Sequence, residues 1–274
     1  MTLTTLEGIP PEIAATMSTR LDAIAAGHGV AKPFAVESGS RAWGFPSPDS
    51  DFDCRFVFVR PVAQRLSLWQ RRDVIELPLD KIYDVNGWEL GKALKLLLKG
   101  NAVIVEWLTS PLTYRCDSSF RNPLLAFAER YARRDLIGRH YLHLGERQQK
   151  EHLGGADAPQ KKLFYALRPA AALRWLRMHE RQAVAPMHFP TLMAECDPPP
   201  AVAAIVADLI ARKAATRELG SAPIPEPLFA FVDSEFVAAR KEFASTRTDV
   251  GEHERAEADR FYLAMTSQFS AASL

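Results

Sequence analysis

Asp51-Phe-Asp53, with Gly39-Ser40 ten residues upstream of it, is the stretch of this chain best suited to chemistry. Read as a strand, Asp51-Phe-Asp-Cys-Arg-Phe-Val-Phe-Val59 alternates its side chains with period two. Asp51, Asp53 and Arg55 then share one face, followed by Val57 and Val59. Phe52, Cys54, Phe56 and Phe58 share the other, which is wholly apolar. The two acids stand about 7 Å apart along the strand, close enough for both to ligate a divalent metal. Gly39 and Ser40 can offer backbone N–H groups and a hydroxyl to an anion. A third acid from a neighbouring strand would complete a common way of holding two Mg²⁺ ions, which activate an attacking hydroxyl and stabilise leaving pyrophosphate. Asp84 and Glu76 are the candidates. Asp84 is favoured because it precedes an Asn86-Gly87 turn signal, at a strand end where loops carry function. Glu76 lies inside its own strand, and Asp80 reads as a turn residue. The hydrophobic Phe52, Cys54 and Phe56 exclude a Ca²⁺ loop of the EF-hand type.

Other titratable groups carry less. His140 and His143 are three apart on a helix, but no carboxylate at matching spacing joins them, so they read as ordinary helix residues. Glu106 follows an apolar Val-Ile-Val run, which points to a structural ion pair or to support of the site. Arg55 can hold a carboxylate, form a structural salt bridge, or contact base or acceptor. The five tryptophans, 43, 69, 88, 107 and 175, read mostly as core, with Trp43 beside Gly44 allowed at a cleft edge.

The elements that must position these groups follow from the pattern. A helix from Pro10-Pro11 carries Ile13, Met17, Leu21 and Ile24 on one face and stops at Gly27-His-Gly29. Residues 1–9 are a loose lead-in. Strands are expected over Pro33–Glu37, Asp51–Val59, Asp73–Leu77 and Lys81–Val85, with a short helical or irregular insert over Leu66–Trp69. Trp88–Lys99 reads as an amphipathic helix with Leu90, Ala93, Leu94, Leu97 and Leu98 inward, and Ala102–Leu108 as another. After Pro111 the chain turns helical: Pro123–Gly154, Lys161–Met178 with Pro169 inside, Val202–Arg217, Phe229–Ser245 and Glu252–Phe269. Residues 186–200 read as loop and Ala222–Pro227 as a connector, both because of their prolines. The fold class is therefore α+β: a mixed sheet flanked by helices over residues 1–115, then a mainly helical unit over 116–274.

The chain has 274 residues, 47% of them hydrophobic and 24% charged, as in an ordinary soluble protein. A net charge of +1 disfavours an extended duplex-binding surface without excluding contact with one RNA end. Three scattered cysteines make neither a disulfide framework nor a zinc spacing. With no signal-peptide pattern and no apolar run of membrane-spanning length, a cytoplasmic protein without a membrane partner is expected.

Gly39-Ser40 followed by Asp51-Phe-Asp53 resembles the signature of the DNA polymerase beta-type nucleotidyltransferase superfamily. More closely, five segments resemble the RNA-ligase-associated predicted nucleotidyltransferases. These are Glu37-Ser-Gly-Ser-Arg-Ala-Trp-Gly-Phe, Ser50-Asp-Phe-Asp53, Asp84-Val-Asn-Gly-Trp88, Asn101 with Glu106-Trp-Leu108, and Lys161-Lys-Leu-Phe-Tyr-Ala-Leu-Arg-Pro169. Ala102 stands where that family favours proline.

The resemblance implies Mg²⁺- or Mn²⁺-dependent transfer of a nucleoside monophosphate from an NTP such as ATP, in an RNA-repair setting. It gives Asp51, Asp53 and Asp84 the metal and Gly39, Ser40 and Arg41 the triphosphate. It raises Lys162, Tyr165 and Arg168 as a phosphate or base clamp facing the cleft. The acceptor it leaves open among an RNA end, a protein and a small molecule. Rival readings are a non-catalytic nucleotide- or RNA-binding module, against which the intact acids argue, and a toxin–antitoxin component acting on a protein.

Overall fold

The computed structural model describes residues 8–80, 82–155, 157–243 and 249–270. Residues 1–7 of the expected lead-in over residues 1–9, Lys81 at the start of one strand and Ser245 at the end of one helix lie outside them.

Five strands make the central sheet: β1 (Ala31–Glu37), β2 (Phe52–Val59), β3 (Val74–Glu76), β4 (Tyr83–Glu89) and β5 (Thr113–Cys116), in the order β3-β4-β2-β1-β5. β2 runs parallel to β4, and the other pairings are antiparallel, so the sheet is mixed. Asp51 falls just before β2, and Asp53 is registered directly beside Asp84 of β4.

Twelve helices are present among the described residues. α1 (Pro11–His28) covers one sheet face, packing Met17, Leu21 and Ile24 against Phe52, Cys54, Phe56 and Phe58. It ends at Gly29, whose φ of 59° places it in the left-handed region. The alternation expected of β2 thus holds, with its apolar face fully covered. α2 (Ser40–Trp43) and α3 (Val62–Arg65) are single turns after β1 and β2. α4 (Leu90–Leu98) and α5 (Ala102–Thr109) cover the second face, with Leu90, Leu94, Leu97, Ile104 and Trp107 buried against Phe34, Val57 and Val59.

α6 (Ser118–Tyr131), α7 (Arg134–His152), α8 (Gln160–Met178), α9 (Phe189–Cys196), α10 (Pro200–Ala215), α11 (Glu226–Phe243) and α12 (Glu252–Ser270) follow. Their apolar faces join the second-face core without a break: Phe120, Phe164, Phe189, Phe236 and Phe243 belong to the same cluster as Phe34 and Trp107. α12 returns to pack on α4 and β2.

Five expectations are corrected. Asn86-Gly87 is not a turn, and Trp88 does not start a helix, because β4 runs through both to Glu89. The Phe56 ring of the neighbouring strand lies where a Cβ on Gly87 would stand, so this glycine marks a close approach inside a strand. Residues 189–196 of the expected loop form α9, since Pro190 falls in its first turn, where a missing N–H costs nothing. Ser221–Pro223 of the expected connector is a short strand, β7, paired with β6 (Asp157–Pro159). Trp69 is no core residue: with Leu66 and Leu68 it stands in an irregular loop, 84% exposed.

Candidate active site

β1 ends on Glu37, and the chain then folds back over β2. Ser38 donates its N–H to the Asp53 carbonyl at 2.8 Å. The Glu37 carboxylate, fully buried, receives the N–H groups of Gly39 and Asp53 on Oε1, each at 3.1 Å, and the Tyr114 hydroxyl on Oε2 at 2.6 Å. Burial pushes its carboxyl above the ordinary range, and these donors oppose the shift. Gly39 lies so close to Asp53 that a Cβ there would overlap the Asp53 Oδ2 atom, so no other residue fits without displacing the acid.

The loop after α2 is tied back by hydroxyls and one guanidinium. Ser40 Oγ donates to Ser50 Oγ at 2.8 Å, and Ser50 Oγ also receives the Ser47 N–H at 2.9 Å. Arg41 donates Nε to the Asp51 carbonyl at 3.2 Å and an NH2 group to the Ser50 carbonyl at 2.6 Å, and stacks 4.0 Å over Phe52. It lines a second cavity, behind the turn, rather than the cleft that Gly39 and Ser40 face.

On the strands, one Arg55 NH2 group donates to Asp84 Oδ2 at 2.6 Å and lies 3.4 Å from Asp53 Oδ1, while its NH1 group donates to the Asp84 carbonyl at 3.0 Å. Burial raises the Asp53 carboxyl, Arg55 lowers it, and the charges of Asp84 and Asp51 raise it again. Asp51 is exposed at the cleft mouth, and Asp84 reaches the cleft wall only through Arg55. Glu76 is remote: it sits on the edge strand β3 and pairs with Arg72 at 3.1 Å. Asp80 closes a bridge to Tyr83 and pairs with Arg20 at 2.5 Å.

Gly39, Ser40, Asp51, Asp53 and Arg55 line one wall of a cleft of about 830 Å³, and α7, α8 and α10 form the other. Lys162, Tyr165 and Arg168 line it from α8, with Lys162 Nζ 4.7 Å over the Tyr165 ring. Arg168 stacks 3.8 Å over Trp43 of α2 and donates to Glu106 Oε1 at 2.8 Å, which also receives the Tyr141 hydroxyl at 3.1 Å. Glu106 is therefore an ion-pair partner across the cleft floor. His140 lines the cleft, and burial holds its imidazole below the ordinary value. His143 is not part of the wall.

Three contributors escaped the sequence reading. Glu37 had a signal, a carboxylate at the strand end just before Ser-Gly-Ser. Tyr114 had none, since its partner lies 77 positions away. Lys213 had none either: a lysine in an alanine-rich helix normally faces water. Here it is buried, donates to the Phe45 carbonyl at 2.6 Å and lies against the Phe45 and Phe164 rings, with its ammonium pKa lowered to about 8 by burial and by Lys161.

A glycine turn in contact with an acid, with a second acid registered beside it, has a matching family. The RNA repair pathway DNA polymerase beta family matches residues 13–264. The chain belongs to that family. It is also 36% identical to a protein of Bacillus subtilis (strain 168), the uncharacterized protein YcgL, over 226 residues, 81% of this chain and 86% of that one. Membership makes the chain one of the DNA polymerase beta-type nucleotidyltransferases, with the mixed sheet flanked by helices that such a protein needs.

Asp51, Asp53 and Asp84 carry hard oxygen donors of the kind that Mg²⁺ or Mn²⁺ takes. Among the described residues no group of three or more His, Cys, Asp or Glu side chains is arranged so that it could hold a metal ion. Arg55 instead supplies the positive charge between Asp53 and Asp84. The Asp51 and Asp53 carboxylates are the hard oxygen donors a dication would meet here, while the Asp84 carboxylate is engaged by Arg55. No helix among the described residues is long and apolar enough to cross a membrane.

Proposed function

We propose that this chain transfers a nucleoside monophosphate from an NTP, ATP among them, to an acceptor hydroxyl and releases pyrophosphate. The observation that carries the reading is the contact of the Gly39 turn with the Asp53 carboxylate, with Asp84 registered beside it. Asp51, Asp53 and Asp84 are the residues to hold Mg²⁺ or Mn²⁺, which when bound would neutralise phosphate charge and lower the pKa of the attacking hydroxyl. The Gly39 and Ser40 turn receives the β- and γ-phosphates. Lys162, Tyr165 and Arg168 face them from the helical wall, with Lys161 and Lys213 close by. Asp84, once off Arg55, is placed to take the acceptor's proton. Catalysis is then mainly in-line positioning and charge neutralisation.

The helical residues 116–274 supply the acceptor wall, and the acceptor we favour is an RNA end, because the family is one of an RNA repair pathway. A cytoplasmic setting suits that acceptor. The test is incubation with NTPs labelled at the α-phosphorus, Mg²⁺ or Mn²⁺, and separate pools of RNA, protein and small molecules. Label on RNA supports the reading. Label on protein would move the acceptor to a protein partner, and nucleotide binding without pyrophosphate release in any pool would favour a non-catalytic module.

A further inference from the structure

We propose that Glu37 is the positioning residue of this site: one carboxylate ties the Gly39 turn to Asp53 and so sets the distance between the phosphate-receiving and metal-receiving groups. What is positioned rests on the nucleotidyl-transfer reading. The positioning itself rests on hydrogen bonds.

The Glu37 backbone is fixed first. Its N–H donates to the Leu112 carbonyl at 3.0 Å, and its carbonyl receives the Ser110 hydroxyl at 2.7 Å. From this frame the side chain reaches under the turn and meets three donors: Gly39 N–H, Asp53 N–H and Tyr114 O–H. Two backbone N–H groups converge on one oxygen and a hydroxyl on the other, which is work for a group that only accepts. A carboxylate with no exposed surface is costly unless hydrogen-bonded, and here both of its oxygens are engaged. The turn lies in close approach to Asp53, since a methyl group on Gly39 would collide with its carboxylate where it now stands. Any slip of one against the other is a slip inside the site. Ser38 N–H to the Asp53 carbonyl fixes the same pair of segments from the other side, so Glu37 acts on a joint already closed at one end.

The test compares Glu37→Gln, Glu37→Asp and Tyr114→Phe in the full chain. Glutamine keeps an oxygen for the two N–H groups, and the Tyr114 hydroxyl turns to accept from its amide. Aspartate keeps the charge but is one methylene short and cannot span both segments. Amide hydrogen exchange at Gly39 and Asp53 should be protected in the wild type and in Glu37→Gln. In Glu37→Asp it should quicken about tenfold at those two amides, with the rest of β1 and β2 unchanged. For transfer, kcat of Glu37→Asp should fall about a hundredfold with KM for the metal–NTP complex within about threefold, while Glu37→Gln stays within about tenfold of wild type. If Glu37→Asp does not fold, Tyr114→Phe carries the test, since it removes one anchor of the carboxylate and should quicken exchange at the same two amides. Unchanged exchange there in Glu37→Asp and Tyr114→Phe would overturn the proposal, as would equal losses of transfer in Glu37→Gln and Glu37→Asp, since only the second shortens the reach. A wild type that shows the expected exchange pattern but transfers nothing to any acceptor would sink the nucleotidyl-transfer reading and leave the clamp standing.

Discussion

The two walls of the cleft are held by different forces. The sheet wall is a backbone device: Ser38, Gly39 and Asp53 are fixed through their N–H and C=O groups, and a buried carboxylate closes the joint. The helical wall is a side-chain device: Arg168 lies between Trp43 and Glu106, Lys162 lies on Tyr165, and Lys213 lies on Phe45 and Phe164. Backbone hydrogen bonds leave little freedom in where Asp53 points. Stacked cations and rings leave more, and they can be exchanged for others of similar shape at modest cost. The difference is one of rigidity: the sheet wall is pinned through its backbone, the helical wall through side chains that can be exchanged.

The sharpest way to break this contrast is at Asp53. Asp53→Asn keeps the size and loses the charge, and NMP transfer should fall at least about a thousandfold, the loss of several kcal/mol of charge stabilisation. The thermal midpoint should hold, because burial and neighbouring acids already disfavour ionisation of that carboxyl. Initial rates and a melting curve check both halves, and wild-type rates in the variant would end the assignment.

On the helical wall the largest loss should be in stability. Arg168 and Glu106 are 11% and 13% exposed, so Arg168→Ala leaves Glu106 buried with only the Tyr141 hydroxyl. A cost of about 3 kcal/mol is expected from denaturant unfolding. The double variant Arg168→Met with Glu106→Gln should lose less than the single one, since no charge is then stranded. A loss in the double variant equal to the sum of the two single losses would show that the pair is not coupled and that the wall is held by ring packing alone.

Much of the sheet wall was legible because it is local. The period-two alternation of residues 51–59 and the Gly-Ser turn lie within one short stretch, and the core face they define is the one observed. What failed there depended on a neighbour strand: Gly87 looks like a turn until the Phe56 ring is seen above it. Arg41 reads as a phosphate ligand beside Ser40, yet backbone carbonyls at Ser50 and Asp51 take its guanidinium to the rear of the turn. The helical wall was legible only as helices. Tyr165 and Arg168 were placed on one face by their spacing, but nothing local pairs Arg168 with Trp43 or buries Lys213 under α8. Its partners come from residues 43 to 213 and meet only after the helices pack.

Lys213 gives a pH test of that packing. Its ammonium titrates near 8 in the folded chain against 10.5 as the ordinary value. Between those values the unfolded chain binds more protons than the folded one, so stability should rise with pH across that window. Below about 8 the full cost of burying the charge is present. Lys213→Met removes the group, so the thermal midpoint of wild type relative to the variant should climb from pH 8 to 10 and stay flat from pH 6 to 7.5. A constant difference across both ranges would show that Lys213 keeps its charge and is held by the Phe45 carbonyl alone.

The smallest effect is expected where neither device operates. Trp69 and Leu68 are 84% and 93% exposed in the loop after α3, so truncation removes almost no buried surface. Trp69→Ala should change unfolding free energy by no more than about 0.5 kcal/mol, the range of surface substitutions, and leave transfer rates alone. The contrast with Trp43 is the point of the experiment. Trp43 carries Arg168 on its face and joins α2 to α8, so Trp43→Leu should cost activity at a position where Trp69→Ala costs none. If Trp69→Ala instead lowered stability by several kcal/mol, the loop would be packed in solution. If it lowered transfer to long RNA acceptors only, the loop would extend the acceptor surface beyond the cleft, and the division of labour between the two walls would need a third member.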